Sequence, residues 1–177
     1  MNKNLLDSAI KRVSNFPKPG VVFYDITGIL DEPEVFHHCI DEFAAAARLS
    51  GAEAIAAIEA RGFIFAAPVA ERCGLPLILV RKKGKLPGPV VSRGFKLEYG
   101  EGSIEVQKSE LARPRRILVI DDLIATGGTV SAVMNIFREY NSQIVAALAI
   151  IGLPFLGYPE ALKGISVNTL INYQTEK

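Results

Sequence analysis

The chain reads as an α/β domain in which helices flank a parallel sheet. Three observations predict this. Short apolar runs rich in β-branched residues recur at residues 54–58, 75–80, 117–120, 144–151 and 165–171, which suits strands buried on both faces. Stretches with helical periodicity alternate with most of these runs, the pattern of a parallel sheet covered on both sides. A length of 177 residues, 49% of them apolar, suffices for one domain with a sizeable core and leaves little room for disorder.

Element by element, Leu5, Leu6, Ala9, Ile10 and Val13 predict an amphipathic first helix, which Phe16-Pro17-Lys18-Pro19-Gly20 breaks. Residues 21–24 are a short extended piece, and Asp25-Ile26-Thr27-Gly28 turns again. Pro33 opens a helix over about residues 34–49, with Val35, Phe36, Cys39, Ile40 and Phe43 inward. The strand at 54–58 is followed by a helix at 62–73 and the strand at 75–80. A long glycine- and proline-rich segment precedes the strand at 117–120, a helix running to about Tyr140 and the strand at 144–151. A short helix near 158–162 and the strand at 165–171 close the domain.

Composition excludes several function classes. Twenty Lys and Arg against 19 Asp and Glu give a net charge of +1, so no overall field favours nucleic acid or a membrane surface. No apolar run reaches the roughly 18 residues of a membrane span, and the N-terminus lacks a signal-peptide core. Cys39 and Cys73 are the only cysteines and lie within helical patterns, as buried thiols of a reducing compartment do. A soluble, cytoplasmic domain is expected, with no nucleic acid and no membrane partner. Neither a Walker A loop nor G-x-G-x-x-G occurs.

The most informative stretch is ILVIDDLIATGGTV, residues 117–130. Its order is strand, acid pair, glycine turn, helix, which places the turn at the carboxyl edge of the sheet, where α/β proteins bind ligands. Gly127 and Gly128 are able to adopt positive φ, so that successive backbone N–H groups, from Ala125 to Thr129, point into one concavity. Thr126 and Thr129 add hydroxyl donors and the helix adds its positive end, a nest for phosphate without a lysine. Asp121 and Asp122 only accept hydrogen bonds when ionised and so suit vicinal hydroxyls. A phosphate cradle beside a diol clamp describes a ribose 5-phosphate site. A second strand-turn-helix unit, Glu59-Ala60-Arg61-Gly62-Phe63, puts Arg61 where it can reach another anionic group.

VIDDLIATGGT resembles the phosphoribosyl pyrophosphate motif of type I phosphoribosyltransferases, in the form found in adenine phosphoribosyltransferases. IEARGFIFAAPVA, RKKGKLPGP and LEYG are similar to further segments of that family, as is PKPGVVFYDIT. The resemblance implies a flexible lid loop at about residues 83–102 and an N-terminal hood at about 14–30. Glycine or proline at 84, 87, 88, 89, 94 and 100 fits a functional loop of that length. A lid has a physical purpose here, because water would capture a cationic ribose in transit. The resemblance further implies that Arg61, Arg81 and Lys85 stabilise a pyrophosphate leaving group, whereas Lys82 and Lys83 read as a solvated face. Glu98 is implied as the group exchanging a proton with the purine, with Tyr99 packed over the nucleotide site.

In the hood, Val22, Phe23 and Tyr24 are the implied base contacts, Phe23 by stacking, with Leu123 on the other ring face. Tyr24 stands where the family usually has arginine or lysine, Gly28 where proline is common, and Phe95 where a tyrosine is common. The implied substrates are adenine and phosphoribosyl pyrophosphate, the products AMP and pyrophosphate. The implied cofactor is substrate-bound Mg2+, with no direct protein ligand, and the implied assembly is a homodimer. Two rivals are a phosphoribosyltransferase for xanthine or hypoxanthine/guanine, and a non-catalytic regulator that senses phosphoribosyl pyrophosphate.

Overall fold

A computed structural model describes residues 3–97 and 100–175. The chain opens with α1 (Lys3–Ser8), then β1 (Lys11–Ser14) and β2 (Val22–Asp25), a two-stranded antiparallel ribbon in which Arg12 pairs with Tyr24. Helices α2 (Thr27–Asp31) and α3 (Pro33–Ser50) lead to β3 (Ala54–Ile58), α4 (Gly62–Cys73) and β4 (Leu77–Lys82). A hairpin of β5 (Val90–Leu97) and β6 (Gly100–Gln107) follows, with α5 (Lys108–Leu111) after it. The second half is β7 (Arg116–Ile124), α6 (Gly128–Glu139), β8 (Gln143–Gly152), a 3-10 turn (Pro154–Leu156), α7 (Tyr158–Ala161) and β9 (Ser166–Asn172).

Among the described residues, seven strands form one sheet in the order β5-β6-β4-β3-β7-β8-β9. Strands β4, β3, β7, β8 and β9 run parallel, while β6 is antiparallel to both β4 and β5. The α/β sandwich is thus as expected, with an antiparallel edge added. From β3 the chain moves outward to β4, then returns to place β7 on the other side of β3. That reversal is a switch point, where the loops leaving β3 and β7 diverge and open a crevice.

The period-2 alternation of the strands splits the core in two. Ile55 and Ala57 of β3 and Leu118 and Ile120 of β7 pack with α3 and α4, alongside Phe43 and Phe65. Ala54, Ala56, Ile117 and Val119 face α6 on the other side, with Val133 and Phe137. Small alanines in β3 leave room for the helices to lie close, and all five of its residues are buried.

Four local expectations are revised. The first helix stops at Ser8; Leu6, Ala9 and Ile10 are buried as its period predicts, but Val13 lies on β1 and is 42% exposed. Its pairing with β2 is invisible to local periodicity. The turn expected at residues 25–28 instead starts α2, where the Asp25 carboxylate accepts from Thr27 N at 3.0 Å and from the Thr27 hydroxyl at 2.8 Å. Gly28 is needed there, since a Cβ would collide with the Ala9 carbonyl oxygen. Strand β7 runs through Ile124, so the acid pair sits on the strand and not beyond it.

Finally, much of the segment expected as a loop is the β5–β6 hairpin. Val91 and Phe95 pack onto the α6 side of the core, and Arg93 pairs with Glu139 of α6. Phe95 lies across from Gly102, where a Cβ would come within 2.7 Å of its ring. The buried Glu105 carboxylate fastens the base of the hairpin, accepting from Gly84 N at 2.9 Å and the Ser92 hydroxyl at 2.8 Å.

Candidate active site

A cavity of about 920 Å³ opens at the carboxyl ends of β3 and β7. Residues 121–130 form one wall, Ile58 to Arg61 a second, and Lys82, Lys83, Phe95 and residues 102–104 a third, with Pro17 also lining it. Asp121, Asp122, Leu123, Ala125, Thr126, Gly127, Gly128 and Thr129, all singled out in the sequence, therefore share this cavity with Arg61.

The glycine turn has the geometry of an anion nest. Gly127 is the N-cap of α6 with φ +80°, and the first intrahelical bond runs from Ser131 N to Gly127 O at 2.9 Å. The amides of Gly128, Thr129 and Val130 precede that bond, at the positive end of a 12-residue helix. Gly128 is helical, so only Gly127 uses the left-handed freedom expected of both. Behind the turn α7 packs closely. A Cβ on Gly127 would stand 3.0 Å from Leu162 Cγ and 3.3 Å from Ala161 Cβ.

The acid pair is tied into both walls. Asp121 Oδ1 accepts from Asp122 N at 2.9 Å, and Gly62 opens α4 so close that a Cβ there would lie 3.0 Å from Asp121 Cα. Arg61 Nη2 lies 2.7 Å from Asp122 Oδ2, a charge contact without the angle of a hydrogen bond. Burial pushes both carboxyls above the ordinary aspartate range, Asp121 well above it. The Asp122 charge adds to the effect at Asp121, whereas Arg61 opposes it at Asp122.

Arg61 also donates to the Tyr24 carbonyl at 3.4 Å, and its guanidinium lies 5.0 Å from the centroid of the Phe23 ring. Phe23 in turn meets Phe16 edge to face at 5.1 Å. The Tyr24 side chain points elsewhere: it is 4% exposed and stacks on Tyr173, so only its main chain faces Arg61. Val22 is partly buried against the core. Of the four base-contact candidates, Leu123 lines the cavity while Val22, Phe23 and Tyr24 lie on β2, outside its walls.

Arg81 and Lys85 are not among the cavity walls. Arg81 Nε and Nη2 grip the two Glu59 oxygens at 3.2 and 3.4 Å, and Arg81 Nη1 donates to the Lys85 carbonyl. Burial alone would raise the Glu59 carboxyl, but the Lys82 amide and the Arg81 guanidinium outweigh it and hold it below the usual range. Glu59, Lys82 and Lys83, by contrast, do line the cavity. In the sequence, Lys82 and Lys83 read as a solvated face because a run of four cations usually is one, and Glu59 has no site role of its own there; the available signal for Glu59 was its place directly after a fully buried strand. Glu98 and Tyr99 lie outside the described residues.

A switch-point crevice that combines such a nest with adjacent carboxylates defines a class, and comparison with known proteins agrees. A model of the phosphoribosyl transferase domain matches residues 27–156, so the chain is a phosphoribosyltransferase-family protein. The adenine phosphoribosyltransferase of Treponema denticola is 50% identical over 177 residues, covering 100% of this chain and 93% of that protein. The crystal structure of adenine phosphoribosyltransferase from Thermoanaerobacter pseudethanolicus superposes with a TM-score of 0.92 at 35% identity, over 97% of this chain and 100% of that one. The Saccharomyces cerevisiae enzyme, crystallised with an imino-altritol bisphosphate and adenine, gives 0.88 at 29% identity over 96% and 98%. Within the class, the chain belongs to the adenine phosphoribosyltransferase family.

Proposed function

We propose that the chain transfers the 5-phosphoribosyl group from phosphoribosyl pyrophosphate to adenine, giving AMP and pyrophosphate, and so serves purine salvage. The observation that carries this reading is the anion nest at Gly127 beside the Asp121–Asp122 pair in one cavity. A nest of amides suits the 5′-phosphate, and acceptors a few residues away suit the ribose hydroxyls. Arg61, Lys82 and Lys83 supply positive charge along the opposite walls, where negative charge builds on the departing pyrophosphate. Arg81 stands behind them, joined to Glu59, with Lys85 on the same turn.

The base nitrogen attacks the anomeric carbon as the bond to pyrophosphate breaks. Leu123 from the sheet and Phe23 from the hood bracket the base, and the main chain of residues 22–24 reads its edge. Glu98 takes the role of proton exchange at the base, and Tyr99 that of cover over the nucleotide. The hairpin above the cavity acts as the lid that excludes water.

Magnesium belongs to this reading as a substrate-borne ion. Among the described residues no three His, Cys, Asp or Glu side chains converge on one point, and Asp122 and Glu59 are each engaged by an arginine. Such a donor set fits an ion that keeps its waters and is held mainly by phosphate and ribose oxygens. When bound it neutralises pyrophosphate oxygens. A cytoplasmic homodimer completes the proposal; no helix among the described residues is long and apolar enough to cross a membrane.

The test is a panel of adenine, hypoxanthine, guanine and xanthine, each supplied with phosphoribosyl pyrophosphate and Mg2+. AMP formed from adenine alone is the expected result, and chelation of Mg2+ abolishes it. Consumption of another base with no AMP would overturn the choice of adenine.

A further inference from the structure

A second cluster sits behind the hood, outside the cavity, and joins both ends of the chain. Tyr173 follows β9 and its amide donates to the Gly152 carbonyl at 3.0 Å, which fixes it at the carboxyl edge of the sheet. Its hydroxyl donates to Asp7 Oδ1 at 2.6 Å, and Arg12 both pairs with Asp7 at 2.8 Å and lies 4.7 Å from the centre of the Tyr173 ring. Burial, with the Asp7 hydrogen bond, raises the Tyr173 phenol, so it stays a protonated donor. On the other side the ring lies parallel to Tyr24, centroids 4.6 Å apart and planes 10° apart. Tyr24 is on β2, next to Phe23, and its carbonyl accepts from Arg61.

We infer that Tyr173 is a positioning residue for the base site, acting through Tyr24 on the hood strand β2. The ribbon β1–β2 is paired with no other strand among the described residues, so its own hydrogen bonds do not set its height above the cavity. The Tyr24 side chain does, buried in the core and stacked on Tyr173: the stack clamps β2 to a residue whose amide is bonded to β8. Parallel aromatic pairs at this separation contribute beyond the area they bury, and each ring has only two side-chain torsions to hold. Release of that stack lets β2 shift, and Phe23 with it, while Asp121, Asp122 and the Gly127 turn stay fixed by the sheet. The consequence falls on the base more than on the sugar phosphate, to which the shift is passed only through the Arg61 contacts with the Tyr24 carbonyl and the Phe23 ring.

This rests on the proposed reading, in which the hood covers the base. The experiment therefore measures the KM of whichever base the panel shows to be turned over, together with the KM of phosphoribosyl pyrophosphate. Tyr173→Leu removes the stack and raises the base KM about tenfold, as a displaced positioning element does, with the phosphoribosyl pyrophosphate KM within about twofold. Tyr173→Phe keeps the ring and restores most of the base affinity. A base KM unmoved by Tyr173→Leu, or both KM values rising together in step with a fall in Tm, overturns the inference. Asp7→Ala, at a side chain 40% exposed, guards against a misfolded leucine variant. It unfastens the Tyr173 hydroxyl and Arg12 while the rings stay stacked, as in Tyr173→Phe; a base KM within about twofold of the parent supports the stack as the clamp, and a rise of about tenfold assigns the effect to the hydroxyl bond and overturns it. Failure of adenine as substrate counts against the proposed function but leaves this comparison standing with the base that is used.

Discussion

Arg61 Nη2 stands 2.7 Å from Asp122 Oδ2, and this contact joins the turn after β3 to strand β7 across the switch point of the sheet. Asp122 is 6% exposed, so its ionised form depends on that guanidinium. Burial raises its pKa and Arg61 lowers it. Replacement of Arg61 by Ala removes the largest lowering influence on Asp122, which then holds its proton to higher pH. We expect kcat/KM at pH 7.5 to fall about 100-fold and the acidic limb of the pH profile to move upward. A uniform fall with an unmoved limb would contradict the coupling.

Asp121 gives a prediction of opposite sign for stability. Its carboxyl binds a proton more tightly folded than unfolded, because burial first, and the Asp122 charge next, raise its pKa. Stability therefore declines as pH rises from the unfolded value, about 3.9, through the raised folded value. Asp121→Asn keeps the oxygen that accepts from Asp122 N but carries no charge. The variant should have a higher Tm than the parent at pH 8, a gain that shrinks toward pH 5, while turnover collapses. Calorimetry at both pH values checks this; an equal or lower Tm at pH 8 counts against a strained acid pair.

These acids show how much the sequence carries and where it stops. Periodicity located β3 and α4 to the residue, because a fully buried strand and a helix ended by Gly74 are locally encoded. The Asp-Asp and Gly-Gly pairs were legible because their chemistry is specified by residue type alone. Val13 was misassigned because its neighbours in space, on β2, are not its neighbours in sequence. Likewise the partner of Arg81 is distant in sequence: Glu59, 22 positions earlier, takes two of its three guanidinium nitrogens. Long-range charge pairing is the part a linear reading does not reach.

Gly127 is constrained twice. Its φ of +80° disfavours any side chain, and α7 occupies the space a Cβ would need. Gly127→Ala should destabilise the protein by about 1–2 kcal/mol from the backbone conformation alone. Rotation of the turn to relieve the contact with Leu162 would also turn the α6 amides out of the nest. The KM for phosphoribosyl pyrophosphate should rise at least about tenfold, with the base KM little changed. Thermal shift with and without phosphoribosyl pyrophosphate separates the two effects: loss of the ligand-induced shift is expected, and its survival would argue against a main-chain phosphate site.

The four cations at the end of β4 and on the turn that follows divide into two pairs, and the division is testable. Lys82 and Lys83 line the cavity, while Arg81 is committed to Glu59 and Lys85 is exposed on the turn. If proximity decides, Lys82→Ala and Lys83→Ala raise the pyrophosphate KM of the reverse reaction about fivefold each, and Lys85→Ala leaves it within about twofold. Glu59→Gln probes the remaining cation. It keeps an oxygen for Lys82 N but halves the hold on Arg81, freeing that side chain to swing toward bound pyrophosphate. The Glu59 pKa is held low, so its contribution to stability is present above the unfolded value, about 4.3, and disappears as pH falls through the folded one. Glu59→Gln should therefore lower Tm at pH 7 and converge with the parent in acid. A lower pyrophosphate KM in the same variant would identify Arg81 as a cation in reserve; a higher one would mean that its pairing with Glu59 is what keeps Lys82 facing the cavity.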